Sequence, residues 1–138
     1  MVSSNPKSSK TQGSFNVTKS LRGAFSASDL SLYEHRGNIK LEGSLVISAD
    51  EKVQLIFVAP AQIGASNGEF PGKGEPPYSY YLHFIEGHGQ FYSADNGSYT
   101  ITYDKDTQHL TGHVNFTVTS EGEQTEFEYN FDVSGFDI

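Results

Sequence analysis

The feature that most constrains the fold is an alternation of apolar and polar residues that recurs along the chain. Between Leu110 and Val118 every second residue is apolar or glycine, and the residues between them are Thr, His or Asn. Residues 127–133 and 99–103 repeat this pattern. A period of two is typical of strands in antiparallel sheets that bury one face. No stretch of a dozen residues follows a helical period, so the chain is predicted to be all-β.

Turn-forming residues divide the second half of the chain into strands. Residues 78–134 are predicted to form five strands of a continuous antiparallel meander, with a hairpin turn at Asp95-Asn96-Gly97, because Asn-Gly is a strong hairpin signal. Residues 26–36 fit either a strand or a short capped helix. Three further strands are predicted upstream, at 15–18, 39–48 and 53–59.

About eight or nine strands in a chain of this length predict one all-β domain, either an antiparallel up-and-down barrel of calycin-like form or a two-sheet β-sandwich. We favour the barrel, because a run of short hairpins closes easily on itself. The domain is expected over residues 14–138. Residues 1–13 hold no aromatic residue and one Val, and are expected to form a flexible arm.

Composition excludes several classes of function. The chain has no cysteine, which removes disulfide scaffolds, thiol nucleophiles and cysteine-bound metals. The formal net charge is −8, and no Lys or Arg follows Lys105. This balance argues against nucleic acid and anionic membrane surfaces as partners. Neither a signal peptide nor a transmembrane segment is visible, so a cytoplasmic protein and a processed secreted protein both fit, and the compartment stays open.

Residues that commonly carry chemistry do not form a recognisable constellation. His83 and Glu86 have opposite parity on a predicted strand and therefore point to opposite faces. His109 and His113 share a face, but they lie about 13 Å apart along the strand. Nucleophile and phosphate-binding motifs are missing. We predict no catalytic residue, no metal site and no cofactor.

The most informative irregularity is residues 60–77, in which eight of 18 residues are Gly or Pro. So long a segment predicts a functional or mobile loop. Phe70 lies within it, and a strand rich in tyrosine follows, where Tyr80 and Leu82 share one face and Tyr81 and His83 the other. Aromatic rings with polar tips suit ligand contacts. The predicted ligand-binding residues are Phe70, Tyr78, Tyr80, Tyr81 and His83.

Three functions fit this sequence. The first is a non-catalytic binding module that recognises a small molecule, a glycan or a protein through residues 60–77 and the adjoining strand. The second is a small β-barrel enzyme, with isomerase-like or cyclase-like chemistry at an interior site. The third is an acidic interaction or inhibitor protein. Polar groups facing an interior pocket would favour the enzyme, whereas a filled interior and an exposed aromatic patch would favour an interaction protein. The sequence leaves the oligomeric state open.

Overall fold

A computed structural model describes residues 10–71 and 75–137, and eleven β-strands make up most of this part of the chain. No helix occurs among the described residues. In chain order the strands are β1 (Gln12–Lys19), β2 (Phe25–Ser26), β3 (Asp29–His35), β4 (Asn38–Ser48), β5 (Glu51–Pro60), β6 (Gly64–Phe70), β7 (Tyr78–Ile85), β8 (His88–Ser93), β9 (Asn96–Asp104), β10 (His109–Ser120) and β11 (Glu123–Ser134).

The strands form two antiparallel sheets that pack face to face as a sandwich. The six-stranded sheet has the order β2-β1-β11-β10-β9-β6, and the five-stranded sheet has the order β3-β4-β5-β7-β8. The all-β prediction and its sandwich alternative are therefore confirmed, and the sheet does not close into the favoured barrel. The reason is connectivity, since the chain changes sheet after β2, β5, β6 and β8. An alternating pattern shows which face of a strand is buried but not which strand lies beside it.

The predicted meander over residues 78–134 is interrupted for the same reason. β7 and β8 form a hairpin in one sheet, whereas β9, β10 and β11 form a meander in the other. The Asp95-Asn96-Gly97 segment is a crossover and not a hairpin turn. The Asp95 N–H donates to the Thr117 carbonyl at 2.8 Å, and Asn96 then pairs with Thr117 as β9 begins. Here a longer-range pairing prevails over the local turn preference.

Residues 60–77, predicted to be a loop, contain strand β6. It pairs with β9 from Gly64 opposite Tyr103 to Phe70 opposite Gly97. Glycine weakens the sequence signal of a strand, but here it is needed. A Cβ atom at Gly68 would lie 2.7 Å from the Tyr99 ring, so the ring covers the bare backbone of its strand neighbour.

Residues 26–36 contain the last residue of β2 and all of β3, so the strand interpretation of that segment is confirmed. Of the predicted flexible arm, residues 1–9 lie outside the described residues. Of the remaining residues of that segment, Thr11 is buried, and Gln12 and Gly13 belong to β1. The Thr11 hydroxyl donates to the Gly135 carbonyl at 2.6 Å and accepts the Leu32 N–H at 2.9 Å.

Aromatic side chains from the inner faces fill the space between the sheets. Phe15 stacks on Tyr129 with ring centroids 4.9 Å apart, and Phe116 stacks on Phe127 at 4.8 Å. Such pairs add stability beyond the area that they bury. Gly43 leaves room for the Phe15 ring, because a Cβ atom at this position would lie 2.9 Å from that ring. The Tyr81 ring of β7, the strand that carries most of the predicted site, packs against Phe127 in this core.

Candidate functional site

Phe70, the one aromatic residue in the predicted loop, belongs to the core. It ends β6 and is 4% exposed. Its ring centroid lies 5.8 Å from that of Tyr99, 6.3 Å from that of Phe116 and 6.4 Å from that of Phe57. Phe70 was predicted to bind a ligand, and its described contacts are those of a packed ring.

Strand β7 divides the other four predicted residues between its two faces, as the parity of the sequence predicted. Tyr81 points inward, is buried, and lies 5.0 Å from Phe127 between ring centroids. Burial is the main cause that raises the pKa of its hydroxyl. His83, on the same side, lies at the margin of the sandwich, where its Nε2 is 2.7 Å from a carboxylate oxygen of Glu51. These two side chains help to hold β7 in place.

Tyr78 and Tyr80 point outward, away from the core. Their rings stack on each other at 5.8 Å, and the Tyr80 ring also lies 4.8 Å from that of Phe91 on β8. Desolvation is the main cause that raises the pKa of the Tyr80 hydroxyl, and the neighbouring Tyr78 raises it further. Both tyrosines are half-buried, although no described strand packs over them. The neighbouring side chains of the same sheet provide this cover.

Cross-strand pairing extends these two tyrosines into a continuous surface. Tyr78 is opposite Val58 and Tyr80 is opposite Ile56 on β5, while Phe91 on β8 is opposite Leu82. Phe91 is 58% exposed. We call this surface the outer apolar face, and it consists of Ile56, Val58, Tyr78, Tyr80, Leu82, Phe84 and Phe91.

Lysines mark two borders of the outer apolar face. The Lys52 ammonium lies 5.4 Å from the centre of the Phe84 ring, and the Lys40 ammonium lies 5.7 Å from that of Tyr33. Lys40 also forms an ion pair with Glu42 at 3.3 Å. An apolar centre with a charged rim is the usual anatomy of a protein interface.

Sequence analysis missed the residues that β5 and β8 contribute to this face. One signal was present, because residues 55–59 are apolar on both faces of a strand and only the inner face is needed for the core. Nothing in the sequence indicates Phe91, since its place beside Tyr80 depends on the β7–β8 pairing. Phe91 is the exposed member of this face and the other six residues are half-buried, and a contiguous apolar surface is typical of interaction sites.

The outer apolar face is open and not concave. The depression beside it, formed by Phe70, Pro71, Pro77, Tyr78 and their neighbours, has a volume of about 30 Å³. A wider groove of about 510 Å³ lies at the margin of the sheet, between the β4–β5 and β7–β8 turns. Sites for small molecules are typically enclosed hollows of several hundred Å³. The geometry therefore suits a broad contact better than a small ligand.

The outer face of the six-stranded sheet has a different character. It presents the carboxylates of Glu126, Glu128 and Asp132 among Thr and Asn side chains, and these carboxylates have partners. Lys19 lies 3.2 Å from Glu126, while His113 and His109 lie 2.8 and 2.7 Å from Glu128 and Asp132. Hydrogen bonds from the Thr18 hydroxyl, and then from His113, lower the pKa of the Glu128 carboxyl.

The interior carries few groups suited to catalysis. Among the described residues the buried polar side chains are Thr11 and Ser79, and Ser79 shares a 2.9 Å hydrogen bond with the Tyr129 hydroxyl. Within the same residues, no three His, Asp or Glu side chains cluster closely enough to hold a metal ion. We also find no helix in this part of the chain that could cross a membrane.

Comparison with known proteins gives no relative from which a role could be transferred: no family model matches the chain, and neither do the curated proteins or the solved structures compared with it.

Proposed function

We propose that this chain is a non-catalytic binding module that recognises a protein partner through its outer apolar face. The observation that carries the proposal is the continuous apolar and aromatic surface on β5, β7 and β8, present although the core is already filled from the inner faces. Tyr78 and Tyr80 keep their predicted role as contact residues. Phe70, Tyr81 and His83 support the site from behind it.

Ring geometry favours a protein over a glycan. Sugar rings stack on the exposed flat face of an aromatic ring, but the Tyr78 and Tyr80 rings are stacked on each other with an interplanar angle of 18°. Tyr80 also packs against Phe91. Rings that stack on each other offer less flat face to a sugar, which favours mixed apolar and hydrogen-bonding contacts with protein.

The interior enzyme has weaker support than the binding module. A catalytic site needs titratable groups that meet around a substrate, whereas Tyr81 on the inner face of β7 packs among apolar and aromatic side chains and Ser79 is hydrogen-bonded to the Tyr129 hydroxyl. His83 is the predicted site residue with an imidazole side chain, and Glu51 already engages it.

Site-directed photo-crosslinking in the cells that naturally produce the chain tests the proposal. A photoreactive phenylalanine analogue replaces Leu82 on the outer apolar face or, as a matched control, Thr100 on the six-stranded sheet. We expect a discrete covalent adduct with another protein from position 82 only. Excess unlabelled wild-type chain should compete for the partner and abolish the adduct. An equal excess of a Thr100→Ala/Thr102→Ala variant should do the same.

A Tyr80→Ser/Phe91→Ser variant should fail to compete for that adduct while keeping its β-sheet circular dichroism. Equal adducts from both positions, or equal competition by both variants, would overturn the proposal. So would a specific signal on a glycan array that Tyr80→Ser removes, because the partner class would then be carbohydrate.

A further inference from the structure

The exposed backbone edge of β8 is a second surface with unused binding capacity, and it adjoins the outer apolar face at Phe91. β8 is the last strand of the five-stranded sheet. Its six residues contain no Lys, Arg, Asp, Glu or Pro, and all but Tyr92 are exposed. Natural edge strands are normally protected by such residues or by a covering segment, because an open edge can pair with another strand.

The other edges are protected. On β3, at the opposite edge of the same sheet, Leu32 donates its N–H to the Thr11 hydroxyl and accepts the Asp137 N–H at its carbonyl. In the six-stranded sheet, β2 has two residues, and β6 carries Glu69 and is followed by Pro71. Among the described edges, β8 is therefore the one that is neutral and uncovered.

The β7–β8 turn determines which backbone groups point away from the sheet. It has two residues, Glu86 and Gly87, with φ of 50° and 81°, and Ile85 pairs with His88 across it. In such a hairpin the closing pair exchanges both hydrogen bonds, and bonded and non-bonded pairs then alternate. The N–H and C=O groups of Gly89, Phe91 and Ser93 consequently point to the open edge.

We propose that the β8 edge pairs with the β8 edge of a second copy of this chain, antiparallel and about a two-fold axis at Phe91. In this register Phe91 is opposite its own equivalent, and Gly89 is opposite Ser93 of the second copy. All the outward backbone groups of the three residues then find partners. The two five-stranded sheets become one continuous sheet, and the row from Leu82 to Phe91 continues into the second copy.

Charge favours a second copy over a different partner. Each chain has a net charge of −8, so two copies can approach closely only where carboxylates are absent. Residues 88–93 satisfy this condition. Glu86 and Asp95 stand outside the segment, and Asp95 turns towards the other sheet, where its backbone N–H and its carboxylate bond to β10. A basic partner would instead select the carboxylate-rich six-stranded face.

Sedimentation equilibrium of the intact chain over a hundredfold range of concentration tests this inference. We expect the average mass to rise from 15.1 kDa to twice that value and to stop there, because two-fold pairing is closed. Phe91→Lys brings two ammonium groups together at the axis and should weaken the dimer at least tenfold. Ile63→Lys is the matched control, since Ile63 is 67% exposed elsewhere, and it should leave the mass unchanged.

Ser93→Pro provides a second, backbone-level variant. It removes an N–H that points outward and leaves the β7–β8 hydrogen bonds in place, so it should weaken the dimer and retain the fold. Tyr80→Ser, which alters the outer apolar face, should leave the dimer intact, so this inference and the proposed function can fail separately. A wild-type chain that stays monomeric, a mass beyond twice the monomer, or equal effects of Phe91→Lys and Ile63→Lys would overturn it.

Discussion

In both sheets of the sandwich, side chains alternate between the inner and the outer face, but the outward side chains of the two sheets differ in polarity. On the six-stranded sheet the outward positions are Thr, Asn, His and carboxylate residues that bond to one another across strands, as in the His113–Glu128 pair. On the five-stranded sheet the outer apolar face instead presents Tyr, Ile, Val, Leu and Phe across β5, β7 and β8. The first face shows that this chain can build a stable outer surface from polar residues. The apolar composition of the second is therefore not a requirement of the fold, and binding is a reason for it.

The largest expected effect tests whether an outward aromatic ring contributes less to the free energy of unfolding than an inward one. Phe70→Ala should lower the free energy of unfolding by about 3–5 kcal/mol, because it empties a packed site between the sheets. Phe91→Ala makes the same change at a ring that is 58% exposed, and should cost less than about 1 kcal/mol. Urea unfolding followed by circular dichroism gives both values. Similar losses would mean that the outer apolar face is a second core and not a contact surface.

An intermediate effect compares two glycines on opposite faces of the five-stranded sheet. Gly43→Ala places a Cβ atom 2.9 Å from the buried Phe15 ring, and this overpacking should cost about 1–3 kcal/mol. Gly89→Ala meets Phe84 at 3.0 Å on the outer face, where the ring can move away, so we expect a change within about 0.5 kcal/mol. Thermal unfolding should show a midpoint several degrees lower for the first variant alone. A comparable drop for Gly89→Ala would show that the outer face is rigidly packed.

The smallest expected effect is the contribution of Glu128, on the outer face of the six-stranded sheet, to the free energy of unfolding. This contribution depends on pH. The folded state holds the pKa of the Glu128 carboxyl below its usual value of 4.5. Its ionised form therefore stabilises the fold above that pH, and this contribution is lost as the pH falls through the lowered pKa. Glu128→Gln should cost up to about 1 kcal/mol at neutral pH, the upper range for exposed pairs.

Urea unfolding of Glu128→Gln and of the wild type at neutral pH and at a series of pH values descending below 4.5 checks the sign of this effect, since the contribution is lost as the Glu128 carboxyl is protonated. The two curves should converge at the lower pH values. Asn130→Ala, on the same strand and the same face, is the control and should show no such convergence. A difference that grows on acidification would contradict the hydrogen-bonding account of the polar face.

Alternation in the sequence predicted the inner and outer sides of most strands correctly. Leu110, Val114 and Phe116 are buried as expected, and β7 divides Tyr80 from Tyr81 as its parity required. These assignments depend on side-chain direction alone, which has a period of two in any strand. The assignment of a residue to the inner or the outer side is the same whichever strand lies next to its own.

Pairing could not be predicted in the same way, and the candidate site depends on it. The step of the chain from one sheet to the other at Asp95 and the contact of β6 with β9 are long-range choices, determined by which faces bury one another. Phe91 joins Tyr80 only through the β7–β8 register, and Ile56 only through that of β5 and β7. The sequence therefore indicated two members of the outer apolar face and not its extent.

The placement of Thr11 and Asp137 beside β3 has a mechanical consequence. β1 and β11 are antiparallel neighbours, with Gln12 opposite Ser134, and the backbone N–H of Lys10 lies 3.5 Å from the Asp137 carboxylate. A tensile load applied at these two ends would pull the two strands apart from one end. Their hydrogen bonds would then break one after another, at about 1 kcal/mol each, and not all together. The first contacts to open are those of Thr11 and Asp137 with Leu32, so stretching would expose the β3 edge before the rest of the sandwich is disturbed.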